Sequence, residues 1–144
     1  MMEYADTGFL CSLYAPDAHT AKAAAAMRRM KSELAFVWIH QLEFRNALRL
    51  RVFRKEITPA QREASLNLLL ADLALGVLAH ADASQKELMV EAERLSASHS
   101  ERIGTRSLDI LHVAAALVLG CETFHTFDTR QGKLARAAGL KVKG

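Results

Sequence analysis

Short apolar runs alternating with amphipathic helical segments mark this chain as an α/β protein, a three-layer α/β/α sandwich with a central parallel sheet of four to five strands. Three observations point there. Runs such as residues 34–39 (LAFVWI) are brief, continuous and rich in β-formers, as strands buried on both faces are. Helical segments separate these runs, and strands joined through helices pair in parallel. The 144 residues include only 7 glycines and 2 prolines, with no linker, repeat or low-complexity stretch, so residues 1–144 form one domain.

Each element has its own signal. Residues 3–5 make a short first strand ending at Asp6, and Thr7 begins a helix through Tyr14. Asp17 is placed to cap an alanine-rich helix over 18–31. Residues 34–39 are the second strand, with Trp38 in the core. A helix over 41–54 then sets Leu42, Ala47, Leu48 and Val52 at helical spacing. Thr58-Pro59 joins a capping threonine to a proline at the first helical position, and that helix runs to a stop at Gly76. Residues 76–81 (GVLAHA) form a third strand. Asp82 or Ser84 caps a helix over 85–97, and the polar run 96–105 reads as a loop. Residues 105–120 (TRSLDILHVAAALVLG) form an apolar helix that carries Asp109 and, one turn later, His112. Residues 121–127 supply a fourth strand ending at Asp128. A last helix over 130–138 stops at Gly139, and LKV is a terminal strand.

Composition excludes several classes. A hydrophobic content of 51% rules out a disordered chain. The longest apolar run, 110–120, contains His112 and is too short to span a bilayer. MMEYADTGF lacks the basic and apolar regions of a secretory signal. Cys11 and Cys121 match no metal or redox spacing and read as buried, reduced thiols of a cytoplasmic protein. The net charge is +3 and the pI near 9.1. Arg45, Arg49, Arg51, Arg54 and Lys55 follow Glu43 with no acid among them, and Arg130, Lys133, Arg136, Lys141 and Lys143 follow Asp128 in the same way. Such stretches attract polyanions, although solvated helix faces share the pattern.

The acids are more telling than the bases. In parallel α/β sheets, ligands gather outside the carboxyl ends of the strands. Asp6 and Asp128 stand at two such ends, Glu43 lies just past the second strand, and Asp109 sits near the start of the apolar helix. Singly, each has an ordinary role as a helix cap, dipole partner or turn residue. Together, four acids at one sheet edge would repel one another and raise their pKa values unless a divalent cation compensated them. Mg2+ or Mn2+ accepts one or two carboxylates, several waters and substrate phosphate oxygens, and lowers the pKa of a bound water for attack on a phosphodiester. His112 reads as a hydrogen-bonded core histidine rather than a ligand, and no histidine pair has ligand spacing. Asp6-Thr7-Gly8 spells the aspartic-protease triplet, but that chemistry needs a β-rich fold and this chain is mainly helical. A phosphotransfer receiver would want a second acid beside Asp6, which is missing.

The segments YADTGFLCSLY, HQLEFRNAL, SLDILHVAAAL and HTFDTRQGKLARAAGL resemble the four signature segments of PIN domains, especially the toxin ribonucleases of VapBC-type modules. They occur in the right order across nearly the whole chain. The resemblance implies a parallel-sheet α/β/α fold and a Mg2+- or Mn2+-dependent endoribonuclease that cleaves RNA with metal-activated water. It makes Asp6, Glu43, Asp109 and Asp128 the catalytic, metal-binding acids, with Thr7 and Thr126 in supporting hydrogen bonds. On that reading Arg45, Arg49, Arg130 and Lys133 hold the RNA backbone. The partners are RNA, a separate antitoxin chain and a second copy in a homodimer. The alanine-rich helix 18–30 and the leucine-rich stretch 66–78 carry more apolar surface than a small monomer needs, which suits a dimer interface or an antitoxin groove. One departure stands out. Many members continue past the last acid with another acid and an aromatic, whereas this chain reads Thr129-Arg130-Gln131-Gly132. That leaves open a second metal, and a catalytically weak PIN-fold binding module as the alternative.

Overall fold

A computed structural model describes all 144 residues. Five parallel strands carry the architecture: β1 (Tyr4–Ala5), β2 (Leu34–Phe36), β3 (Leu78–His80), β4 (Thr123–His125) and β5 (Lys141–Lys143). β1, β4 and β5 form one ladder, with Tyr4 opposite Phe124 and Phe124 opposite Val142. β2 and β3 form another, with Ala35 opposite Ala79. A parallel bridge from Glu3 to Leu34 joins the two, closed by Glu3 N donating to Glu33 O at 3.0 Å and Ala35 N to Glu3 O at 2.9 Å. The spatial order is therefore β3-β2-β1-β4-β5, with the shortest strand in the middle.

Alternate residues of these strands feed two cores. Tyr4, Ala35 and Phe124 pack with α5 (Gln85–Leu95), α7 (Ser107–Val118) and α8 (Thr129–Ala137) on one face. Ala5, Leu34, Phe36 and Leu78 pack with α1 (Thr7–Tyr14), α2 (Thr20–Arg29), α3 (Trp38–Phe53) and α4 (Pro59–Leu75) on the other. This is the expected three-layer sandwich. The inner strands β1 and β2 are buried on both sides and run continuously apolar, whereas edge strand β5 alternates as Lys-Val-Lys with both lysines exposed. Large side chains such as Phe9, Leu10, Phe44, Leu69 and Phe124 are fully buried, each contributing about 1.5–3 kcal/mol. No helix is long and apolar enough to cross a membrane.

Several boundaries depart from expectation. The second strand ends at Phe36, and Trp38 opens α3 with 59% of its surface exposed, so it is not a core strand residue. His40 is the cause. Val37 N donates to His40 Nδ1 at 3.0 Å, and His40 Nε2 donates to Ala5 O at 2.7 Å, which starts the helix early and ties it to β1. Burial holds this histidine neutral, its pKa lowered to about 3. Asp17 does not directly cap α2. Its Oδ1 accepts from His19 N at 2.8 Å while its Oδ2 is taken by Ser12 and Arg51, so it forms a turn and the helix starts at Thr20. Residues 96–105 are not a plain loop. A π-helical turn (Ser96–Ser100) and α6 (Glu101–Ile103) prolong α5, because nothing in that run breaks a helix before Gly104, whose φ of 75° only glycine adopts cheaply. Thr58 caps α4 and left-handed Gly76 ends it, as expected.

Candidate active site

Asp6 follows β1 directly and is the N-cap of α1, its Oδ1 accepting from Phe9 N at 2.8 Å. Its Oδ2 accepts a short hydrogen bond from Thr126, which follows β4. The Thr126 hydroxyl in turn accepts from Asp128 N at 3.0 Å. Pairing of β1 with β4 thus delivers two acids and a threonine to one strand-end edge. Asp128 caps α8, with Oδ1 accepting from Gln131 N at 2.8 Å. Asp6 and Asp128 line one cleft of about 430 Å3, together with Asp17, Arg51 and Arg54.

The electrostatics of the pair are unbalanced. Asp6 is only 7% exposed and has no ion-pair partner. Burial pushes its pKa up and Asp128 pushes it further, against the opposing pull of Thr126, Phe9 and His112. Asp17, by contrast, is balanced by Arg51 at 3.4 Å, and its pKa falls despite partial burial because Ser12, the His19 amide and Arg51 all favour the anion. An uncompensated buried carboxylate beside a second acid is a donor set suited to a hard cation that uses one or two carboxylates and keeps its waters.

Glu43 belongs to an adjoining network. One turn into α3, its Oε1 accepts from Thr7 Oγ1 at 2.8 Å and makes a short contact with His112 Nε2. His112 is 3% exposed, and its Nδ1 faces the Tyr4 hydroxyl at 2.7 Å. Burial keeps the Tyr4 phenol protonated, so Tyr4 donates to Nδ1 and the Nε2 proton points at Glu43. Burial alone would raise the Glu43 pKa, but His112 and Thr7 prevail and hold it low. His112 is therefore a core residue, as expected, and also the group that holds Glu43.

Asp109 is placed differently. It lies in the first turn of α7 and turns back onto Arg106, with Oδ2 at 3.4 Å from the backbone N and 3.5 Å from Nε. Its backbone carbonyl accepts from Gln131 Nε2 at 3.1 Å, which docks the start of α7 on the start of α8. No three acid, histidine or cysteine side chains form a group that could hold a metal between them. The four acids are thus distributed: Asp6 with Asp128, Glu43 joined through Thr7, and Asp109 linked through its backbone.

The basic residues redistribute as well. Arg51 and Arg54 line the acid cleft, whereas Arg45 and Arg49 line a separate groove with Arg62 and Glu63 between α3 and α4. Arg130 and Lys133 are exposed on α8. Gln131 has a site role that sequence reasoning misses, although Asp128-x-x-Gln131 has capping-box spacing. The Tyr4–His112 contact spans 108 positions and has no local signature.

A sequence profile of the PIN domain matches residues 4–137. A search of curated proteins finds no match. Three solved structures share the fold at low identity. The crystal structure of Mycobacterium tuberculosis VapC20, described as a Sarcin-Ricin loop cleaving toxin, is 18% identical with a TM-score of 0.70, covering 98% of each chain. VapBC2 from Rickettsia felis, bound to a DNA fragment from its promoter, is 17% identical with a TM-score of 0.67, covering 99% of this chain and 98% of its own. FitAcB from Neisseria gonorrhoeae is 16% identical with a TM-score of 0.66, covering 99% and 97%.

Proposed function

Because this chain belongs to the PIN domain family, we propose that it is a metal-dependent endoribonuclease and the toxin of a VapBC-like toxin–antitoxin module. One observation carries the reading: Asp6, buried and without a cationic partner, shares an open cleft with Asp128 and two arginines. The same fold occurs in a Mycobacterium tuberculosis toxin described as cleaving the Sarcin-Ricin loop and in VapBC2 of Rickettsia felis, which agrees with an RNA substrate and a separate antitoxin partner.

In this proposal Asp6 and Asp128 hold Mg2+ or Mn2+. Held there, a divalent cation would supply a water of lowered pKa for attack on a phosphodiester and would offset charge on the transferring phosphorus. The chain's own residues do the rest. Thr126 bridges Asp6 to the Asp128 backbone and keeps the two carboxylates in fixed relation. Glu43, held ionised by Thr7 and His112, and Asp109 at the α7 start complete the acidic edge. Arg51 and Arg54 orient the RNA backbone at the cleft, and the exposed Arg130 and Lys133, with Arg45 and Arg49 further out, extend its field. The exposed apolar residues Trp38, Leu42 and Phe53 of α3 and Leu68 and Leu75 of α4 suit a homodimer or antitoxin contact. The chain acts in the cytoplasm, where its RNA substrate and antitoxin are.

A second reading rests on a specific observation. Asp109 is engaged by Arg106, and Arg130 stands where many members have a further acid. A PIN-fold module that binds RNA or a partner without turnover would tolerate both. The deciding experiment is cleavage of a structured RNA with Mg2+ or Mn2+ by the natural chain, Asp6→Asn and Asp109→Asn. The nuclease reading requires cation-dependent cleavage that Asp6→Asn abolishes. Absence of cleavage, or cleavage that survives Asp6→Asn, overturns it, whatever Asp109→Asn does. Calorimetric titration with Mn2+ locates the cation independently, because Asp6→Asn must then remove the binding heat.

A further inference from the structure

His19 is a histidine with no structural employment of the usual kind. It precedes α2 without a side-chain capping bond, and neither ring nitrogen hydrogen-bonds within the chain. Its ring instead lies flat on Phe127, with centroids 4.5 Å apart and planes 9° apart. Phe127 stacks in turn on Phe9 at 5.4 Å and 20°, and Phe9 is fully buried. A column of three rings thus rises from the core and ends in an exposed imidazole.

The column is rigid at its tip. Asp17 accepts from the His19 amide, and its own amide donates to Thr20 Oγ1 at 2.8 Å. Thr20 Oγ1 donates to Ser12 O at 2.6 Å, and Arg51 holds Asp17 from the far side. The turn that presents His19 is therefore clamped to α1 and α3.

Position gives this tip a use. His19, Phe127 and Asp128 line the acid cleft, and the same three residues line a neighbouring concavity of about 340 Å3. Lys22, one turn beyond His19, and Arg136 of α8 line that second concavity, and neither is ion-paired. The Arg136 guanidinium lies close against Gly132, where a Cβ would stand 3.4 Å from Nη1 in ordinary contact. Two free cations beside an exposed, flat ring are the elements of single-strand recognition: charge for the phosphate and a π-face for an unstacked base.

Building on the ribonuclease reading, we propose that His19, backed by Phe127, is a nucleobase platform, and that Lys22 and Arg136 hold the phosphate beside it. Single-stranded RNA then enters the acid cleft across this ridge, with one base stacked on His19 next to the Asp128 side of the site. Stacking tolerates any base, so the platform sets a requirement for an unpaired nucleotide rather than for a sequence.

Binding measured without cleavage tests this separately from the nuclease activity. A short single-stranded RNA carrying fluorescein and an aminopurine base is titrated in chelator with the natural chain, His19→Ala, His19→Phe, and Lys22→Ala with Arg136→Ala. Stacking predicts aminopurine quenching, about a five- to hundredfold weaker affinity for His19→Ala, and near-natural affinity for His19→Phe. The double substitution flattens the salt dependence by about 0.7 for each phosphate no longer neutralised, while quenching persists. Equal affinity and quenching in His19→Ala overturns the proposal even if the natural chain cleaves RNA, and so does failure of the natural chain to bind the probe. Quenching and the His19 effect in a chain that never cleaves would support the platform and refute only the nuclease reading.

Discussion

Replacing His112 with alanine should cost this fold several kcal/mol, and much of the loss should arrive through Tyr4. The Tyr4 hydroxyl is fully buried and its hydrogen-bond partner is His112 Nδ1. Stranding that hydroxyl costs about 1–3 kcal/mol. Emptying the imidazole site, which is packed against Tyr4 at 5.7 Å and His40 at 5.0 Å between ring centroids, brings the total to about 3–5 kcal/mol, the range for truncating a buried ring. With about 2.1 cal/mol/K of unfolding entropy per residue, 144 residues lose roughly 3 °C of melting temperature per kcal/mol, so His112→Ala should melt roughly 10–17 °C lower. Tyr4→Phe alone should cost about 1 kcal/mol. In the His112→Ala background it should be nearly neutral, because it removes the stranded hydroxyl. Thermal melts of the four proteins in chelator then give a coupling of about 1 kcal/mol. A Tyr4→Phe cost that is the same in both backgrounds would refute the hydrogen-bonded network and leave His112 as simple packing.

The two central acids should respond to pH with opposite signs. Glu43 is held below its ordinary 4.5 by His112 and Thr7 against burial, so its stabilisation is present above that value and lost as pH falls through its folded pKa; acid melts of Glu43→Gln should show a flatter limb there. Asp6 is pushed above 3.8 chiefly by burial, so its ionisation costs stability as pH rises, and Asp6→Asn should melt higher than the natural chain at neutral pH in chelator, an advantage that disappears below 3.8. Asp109→Ala should lose about 0.3–1 kcal/mol of first-turn dipole stabilisation, whereas Arg106→Ala, at a side chain 72% exposed, should lose at most about 0.5 kcal/mol by thermal melts. Trp38 is the single tryptophan and lies mostly in solvent, so its emission should be red-shifted and readily quenched by acrylamide, where a core strand residue would be blue-shifted and protected.

Element type was legible wherever chemistry is local. Thr58-Pro59 and Gly76 bound α4 because capping and left-handed glycine act within a few residues. The identity of the acid-bearing edge was legible too, because parallel pairing obliges Asp6 and Asp128 to emerge on one side once β1 and β4 are neighbours. Boundaries failed where a distant partner intervened. His40 caps the start of α3 through Val37 N and also donates to Ala5 O of another strand, and Asp17, whose Oδ1 accepts from the His19 amide, gives its second oxygen to Ser12 and to Arg51 of α3.

By itself, the amino-acid sequence determined the α/β/α class, the strand-helix order and which acids stand at the sheet edge, since apolar periodicity and caps encode these within short windows. Only the tertiary structure decided how the acids divide, with Asp6 and Asp128 sharing one cleft, Glu43 tied to Thr7 and His112, and Asp109 turned onto Arg106. It also decided that His19 caps a ring column beside the cleft. The reason is range: a hydrogen bond or ring contact acts over a few ångströms in space, and those that shape this site join residues as far apart in the chain as Tyr4 and His112 or Asp6 and Thr126.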